Sequence, residues 1–251
     1  MGSAGLPSKL VLFDIDGTLL TTNGQAVESM LAAVRATYGV EGNWQGVRFN
    51  GRTERWIVLE MLAAAGLERG SVERGLPEFW RAYVAGLRRR LKPEQVTVFP
   101  GVRELLALLV QRKDIVLGLL TGNIAASAQV KLALAGLEGF VCGAFGEHHE
   151  AREELPAVAV HAAAELCGTI FKGGAIVIIG DTPNDIACGR HLQVNSIAVA
   201  TGKFGAEELR RHNPRHLFSD LSDTAAVLRA IESGGGTAPQ GPAAKGEASS
   251  S

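Results

Sequence analysis

Long apolar runs, cysteine pairs and a surplus of either charge are all missing from this chain of 251 residues. No stretch approaches the ~20 consecutive apolar residues that a membrane helix requires. The amino-terminal segment carries a single Lys and a few apolar residues before Asp14 interrupts it. That is too short for a secretory leader, so the expectation is a soluble, cytoplasmic protein. The three cysteines, Cys142, Cys167 and Cys188, are odd in number and lack CxxC spacing. Such usage fits unpaired thiols in a reducing compartment better than a disulfide framework. With 25 basic and 26 acidic residues the formal net charge is −1, and no global field points to nucleic acid or to an acidic membrane surface. Arg88-Arg89-Arg90 reads as the solvated end of a helix. No internal repeat is present.

What the chain does have is a 46% apolar composition, enough for one substantial core or a core plus a smaller domain. Apolar runs at Leu10–Phe13, Ile115–Leu120, Ala175–Ile179 and Ser196–Val199 read as buried parallel strands, with weaker ones at Phe140–Phe145 and His216–Phe218. Helical patterns at Ala125–Ala135, Leu155–Cys167 and Asp185–Leu192 lie between them. Strands alternating with helices predict an α/β domain, a Rossmann-like parallel sheet sandwiched by helices. On the helix that opens at Leu155, the positions Leu155, Val158 and Leu166 are expected in the core.

Between about Thr22 and Val96 the pattern changes. Helices are predicted over Ala26–Tyr38, Thr53–Ala65 and Leu76–Leu91, with glycines near 39–46 and 66–70 between them and no convincing strand. Three consecutive helices make a long crossover, so the simplest organisation is an α/β core built from residues 1–21 and 97–232 with a helical domain, 22–96, inserted. From Ser233 the composition collapses into Gly, Pro, Ala and Ser, too little apolar surface to order itself, and 233–251 is expected to be a disordered tail.

Ligands of open parallel sheets bind at the carboxyl ends of the strands. That rule gathers Asp14 and Asp16 after the first strand, Thr121-Gly122-Asn123 after Ile115–Leu120, and Asp181 and Asp185 after Ala175–Ile179. Carboxylates on two strand ends are oxygen ligands for a hard cation, and Mg²⁺ suits them. Gly17 and Thr18 let the backbone turn sharply so that amides face an anion. An anion site beside a divalent cation, with a carboxylate to spare, is what phosphoryl transfer needs. Singly, Asp181 or Asp185 reads equally well as a turn or helix-cap residue. His148 and His149, flanked by glutamates, have no HxxxH spacing and read as exposed loop residues.

The stretches "DIDGT" at 14–18, "LLTGN" at 119–123 and "IIGDTPNDI" at 178–186 resemble, in order and strand context, the first, second and fourth motifs of the haloacid dehalogenase superfamily. The resemblance extends to about Ile231, and the helical insert resembles that superfamily's cap domain. It implies Asp14 as a nucleophile that forms an aspartyl-phosphate, and Asp16 as general acid and then base. It also implies Thr121 as a phosphoryl hydrogen-bonding group. Mg²⁺ would be bound by Asp14, Asp16 (through its carbonyl), Asp181 and Asp185, the last directly or through water. For the basic residue of the third motif, Arg152 and Lys172 compete. Lys172 precedes its strand, which at ~3.3 Å per residue leaves it roughly 16 Å from the catalytic edge, so Arg152 is preferred.

Dehalogenase relatives lack the second aspartate, and phosphonatase-like ones use a cap lysine, whereas residues 22–91 contain none. The expected activity is therefore a Mg²⁺-dependent phosphatase acting on a small phosphorylated metabolite, as monomer or homodimer, without nucleic acid or membrane partners. A sugar-phosphate mutase and a non-catalytic protein retaining the fold are the alternatives. In "RFNGRTE", the residues Arg48, Asn50, Arg52 and Thr53 form the most polar cluster of the insert. Together with Thr121, Gly122 and Asn123 they are candidates to bind substrate, reading a carboxylate as in a phosphoglycolate-phosphatase-like enzyme. A loop that merely caps the helix starting near Thr53 is an equal reading.

Overall fold

The computed structural model describes residues 6–42 and 49–233. Arg48 and the sequence beyond Ser233 lie outside the described residues. The chain runs β1 (Lys9–Phe13), β2 (Leu20–Thr21), α1 (Gln25–Tyr38), α2 (Glu54–Ala64), α3 (Arg69–Arg90), β3 (Thr97–Val98), α4 (Val102–Val110) and β4 (Ile115–Leu120). It continues through α5 (Ala125–Ala135), β5 (Cys142–Ala144), α6 (Leu155–Cys167), β6 (Ile176–Gly180), α7 (Pro183–His191), β7 (Asn195–Val199), α8 (Ala206–Arg210), β8 (His216–Phe218) and α9 (Thr224–Glu232). Among these residues, no helix is long and apolar enough to cross a membrane.

Six strands form one parallel sheet in the order β5-β4-β1-β6-β7-β8, while β2 and β3 pair antiparallel as a separate ribbon. This is the expected α/β architecture. The strands are buried because both faces are covered, and side chains alternate between the faces. Val11, Phe13, Leu117, Leu119, Val177 and Ile179 enter one core with α4, α5 and α9. Leu10, Leu12, Val116, Leu120, Ile176 and Ile178 enter another with α6. Neither α4 nor α9 was expected from the sequence. The chain leaves β1 for β4 on one side and returns to β6 on the other. The crevice so created lies at the carboxyl ends of β4, β1 and β6.

The three helices between β2 and β3 have a core of their own, in which Met30, Val34, Val58, Leu62, Phe79 and Leu87 pack together. Ile124 and Val130 of the α5 region join this cluster and tie the insert to the sheet domain. Helix α3 begins at Arg69, well before the expected Leu76. Gly70, Gly75 and Pro77 argue locally against helix, but Val72, Leu76, Phe79, Tyr83 and Leu87 form one buried stripe that overrides them. Gly75 has its own reason, since a Cβ there would stand 2.6 Å from the ring of Tyr38. Two other expectations need correction. Leu166 is 58% exposed rather than in the core, because α6 turns it away from the sheet. Helix α7 starts at Pro183, since Thr182 caps it by accepting from the Asp185 amide.

Candidate functional site

Each sheet-borne site residue sits just beyond the carboxyl end of a strand. Asp14 directly follows β1, Thr121 follows β4, and Asp181 follows β6. Arg152 opens a single 3-10 turn in the connection from β5 to α6. Gly17 makes the turn after β1 possible. Its φ is +90°, and a Cβ there would stand among the atoms of the Asp181 carboxylate. The turn is closed by the Gly17 amide donating to the Leu20 carbonyl at 2.9 Å, and Thr18 donates to Asp181 Oδ1 at 3.1 Å.

Asp14, Asp181 and Asp185 are all buried, with one oxygen of each lying within 4.8 Å of the others. Arg152 reaches into this group, 3.0 Å from Asp14 Oδ1 and 2.6 Å from Asp185 Oδ1. One guanidinium cannot balance three carboxylates. Burial therefore pushes Asp14 up to about 6, with Asp185 and Asp16 adding to the rise and Arg152 opposing it. Asp181 is likewise raised, by burial first and then by Asp14 and Asp185. Arg152 stays protonated because Asp14 and Asp185 more than offset its desolvation. An all-oxygen, charge-excess donor set of this kind fits a hard divalent cation such as Mg²⁺. Asp185 has both oxygens engaged, Oδ1 with Arg152 and Oδ2 with the amide and hydroxyl of Thr182. Lys172, the competing basic residue, is exposed before the amino end of β6. Arg152 alone of the two enters the site.

Asp16 is turned differently. Its carboxylate is not part of the acidic cluster, and Oδ2 accepts from Lys131 Nζ and from Asn123 Nδ2, each at 2.7 Å. Asn123 Nδ2 also lies 2.7 Å from Thr121 Oγ1. Lys131 was missed from the sequence, although Ser127 and Lys131, four residues apart, share the face of α5 that lies below Asn123. Glu54 was missed as well. This buried carboxylate of the insert accepts from Tyr83 Oη at 2.6 Å and from the Ile124 amide and Ser127 Oγ at 2.8 Å.

The insert closes over these groups. The Glu54 amide donates to the Gly122 carbonyl at 2.7 Å, Asn184 Nδ2 to the Gly51 carbonyl at 2.6 Å, and Thr53 Oγ1 to the Glu150 carbonyl at 2.8 Å. A Cβ on Gly122 would collide with the Arg52 carbonyl. Thr53 also caps α2 by accepting from the Trp56 amide, so its hydroxyl is used in structure and is not among the groups lining the cavity. Arg52 is exposed at the cavity, its guanidinium 4.7 Å above the Trp56 ring. The half-open cavity beneath the insert measures about 490 Å³. Its floor is Asp14, Asp16, Thr121, Arg152 and Asp181, and its roof is apolar, with Val27, Met30, Ile57 and Met61 from α1 and α2. His148 and His149 stay outside it, His148 exposed and His149 paired with Glu154.

Comparison with known proteins places the chain among hydrolases. A phosphoglycolate phosphatase of Pseudomonas syringae pv. tomato is 28% identical over 226 residues, covering 87% of this chain and 79% of that protein. A pyrophosphatase of Anoxybacillus flavithermus is 28% identical over 220 residues, covering 87% and 95%. Among solved structures, a hydrolase from Pseudomonas syringae superposes with a TM-score of 0.64 at 21% identity, covering 89% of this chain and 99% of that one. A putative beta-phosphoglucomutase from Thermotoga maritima gives 0.57 at 20%, covering 88% and 98%. These two speak to the fold. The family model described as haloacid dehalogenase-like hydrolase matches residues 8–192, and the chain belongs to that family.

Proposed function

We propose that this protein is a Mg²⁺-dependent phosphatase that hydrolyses a small phosphorylated metabolite through an aspartyl-phosphate on Asp14. The observation that carries the reading is the placement of Asp14. It lies on the floor of a cavity roofed by the insert, held by Arg152 on one oxygen and next to Asp181 and Asp185, with Asp16 two residues along the same turn.

Asp14 would attack phosphorus with the oxygen that Arg152 leaves free. Arg152 neutralises charge on the nucleophile and on the transferring group. Thr121 Oγ1 faces the Asn123 amide nitrogen and can donate its own proton to a phosphoryl oxygen. Asp16 would give a proton to the leaving oxygen, then take one from the water that hydrolyses the acyl phosphate. Asp14, Asp181, the main chain of Asp16 and, directly or through water, Asp185 would hold Mg²⁺, which supplies charge neutralisation at the phosphoryl oxygens. The α-helical insert, residues 22–96, would act as a cap that excludes water.

For the substrate, Arg52 at the cavity has no carboxylate partner among the described residues. It would read a second anionic group, as a phosphoglycolate-like substrate carries. The relatives named phosphoglycolate phosphatase and pyrophosphatase both act, by those names, on small compounds with more than one anionic group. The test is release of inorganic phosphate from a panel of phosphorylated metabolites, with Mg²⁺ or with EDTA, and with Asp14→Asn as control. Mg²⁺-dependent turnover lost in the variant is expected. Isomerised sugar phosphate with little free phosphate would replace this reading by a mutase, and no turnover on any member would defeat it.

A further inference from the structure

We propose that Lys131 is a positioning residue for the proton-transferring carboxylate, clamping Asp16 so that only one of its oxygens faces the reacting bond. The inference rests on the phosphatase reading above and extends it to a residue outside the recognisable motifs.

Lys131 is 2% exposed, yet it carries a charged ammonium deep in α5. Burying such a group is costly unless it is paired and hydrogen-bonded. Its Nζ donates to Asp16 Oδ2 at 2.7 Å and to Asn123 Oδ1 at 2.5 Å. Asn123 Nδ2 completes a triangle by donating to the same Asp16 Oδ2. Of the other acids near Lys131, Asp14 pairs with Arg152, and Glu54 already has three neutral donors in Tyr83, Ile124 and Ser127. The direct bonds of Lys131 therefore serve Asp16 rather than Glu54.

Asp16 needs such a clamp. Its side chain is 41% exposed, unlike the buried Asp14, so burial alone does not fix its orientation. With Oδ2 occupied by two donors, the transferable proton must sit on Oδ1. In the first step an Asp14 oxygen bonds to phosphorus and the bond from phosphorus to the ester oxygen breaks. The departing oxygen keeps the electron pair and takes the proton from Asp16 Oδ1. In the second step Asp16 Oδ1 takes a proton from water as the water oxygen bonds to phosphorus, and the bond from phosphorus to the Asp14 oxygen breaks, its electron pair returning to the Asp14 carboxylate. A carboxyl free to rotate would present the wrong oxygen, or none, in a large share of encounters.

Leaving groups separate this role from a structural one. An alkyl phosphate expels a strongly basic alkoxide and depends on the acid, whereas p-nitrophenyl phosphate expels a weakly basic phenolate. Steady-state kcat/KM is measured for both esters with wild type, Lys131→Met, Asp16→Asn and the double variant. Lys131→Met is expected to lose about 100-fold on the alkyl ester, within the range of general acid catalysis, and less than about 5-fold on the aryl ester. In the Asp16→Asn background the same change should cost less than about 3-fold, because the two residues act as one unit. Affinity for inorganic phosphate, read by calorimetry, should stay within about 2-fold, and Lys131→Arg, which keeps the charge, should recover part of the alkyl-ester loss. Equal losses on the two esters, a full loss in the double variant, or weakened phosphate binding would overturn the role of Lys131 while leaving the phosphatase standing. A wild type inert on both esters would overturn the phosphatase reading and this role with it.

Discussion

Replacing Asp14 by Asn should stabilise the metal-free protein while abolishing turnover. Asp14 is buried beside Asp181 and Asp185, and that environment raises its carboxyl from 3.8 to about 6. A carboxyl whose folded pKa lies above its unfolded value contributes stability that is fully present below pH 3.8 and lost as pH rises through about 6. At about 1.4 kcal/mol per pH unit the loss is about 3 kcal/mol by neutral pH. The Asn side chain has the same shape and no charge, and Arg152 keeps Asp185 at 2.6 Å as partner, so part of that amount should return as added stability. For a domain of this size each kcal/mol moves the melting temperature by about 2–4 °C. Asp14→Asn in EDTA at pH 7.5 should then melt about 3–10 °C above wild type, and the gap should shrink as the pH is lowered toward 4. Adding Mg²⁺ at about 100 times its Kd should raise wild type by about 2.7 kcal/mol and the variant by much less. Thermal melts across these conditions check the argument. A variant that melts below wild type in EDTA at pH 7.5, or a gap that widens in acid, would refute it.

Other perturbations probe how the insert is joined to the sheet domain. Tyr83→Phe removes the 2.6 Å bond to Glu54 and leaves a buried carboxylate one donor short. The expected cost is about 1–3 kcal/mol, measured as a lower denaturant midpoint with unchanged slope. Gly122→Ala places a methyl group against the Arg52 carbonyl and spoils the bond from the Glu54 amide. Displacing the insert by even an ångström should lower kcat/KM about 10-fold or more, and because the collision is with backbone the melting temperature should fall as well. An alanine variant as active as wild type would show that the insert does not need this close approach.

The sheet and its motifs were legible because they are local. An apolar run of five or six residues ending in Asp or Thr states both a buried strand and its chemistry, as in "VLFDIDGT" and "VLGLLTGN". Helices α5 and α6 appear where their patterns predict, since apolar spacing and a terminal glycine bound them on the chain itself. Arg152 could be chosen over Lys172 by asking which end of a strand each flanks, a question of register that sequence order answers.

Other features depend on residues far apart in sequence. Lys131 meets Asp16 across 115 positions, and Glu54 meets Ser127 across 73. No local pattern marks a lysine in an apolar helix as a partner for a distant carboxylate. Helix α3 extends through Pro77 only because its stripe has α1 to pack against, and Leu166 is exposed only because α6 presents another face to the sheet. The sequence by itself thus determined the strands of the parallel sheet, helices such as α5 and α6, and which carboxylates stand at the strand ends, because those depend on short-range spacing and propensity. Tertiary structure alone decided which cation serves which carboxylate and how the insert closes the cavity, because those depend on burial and on pairings between residues brought together only by the fold.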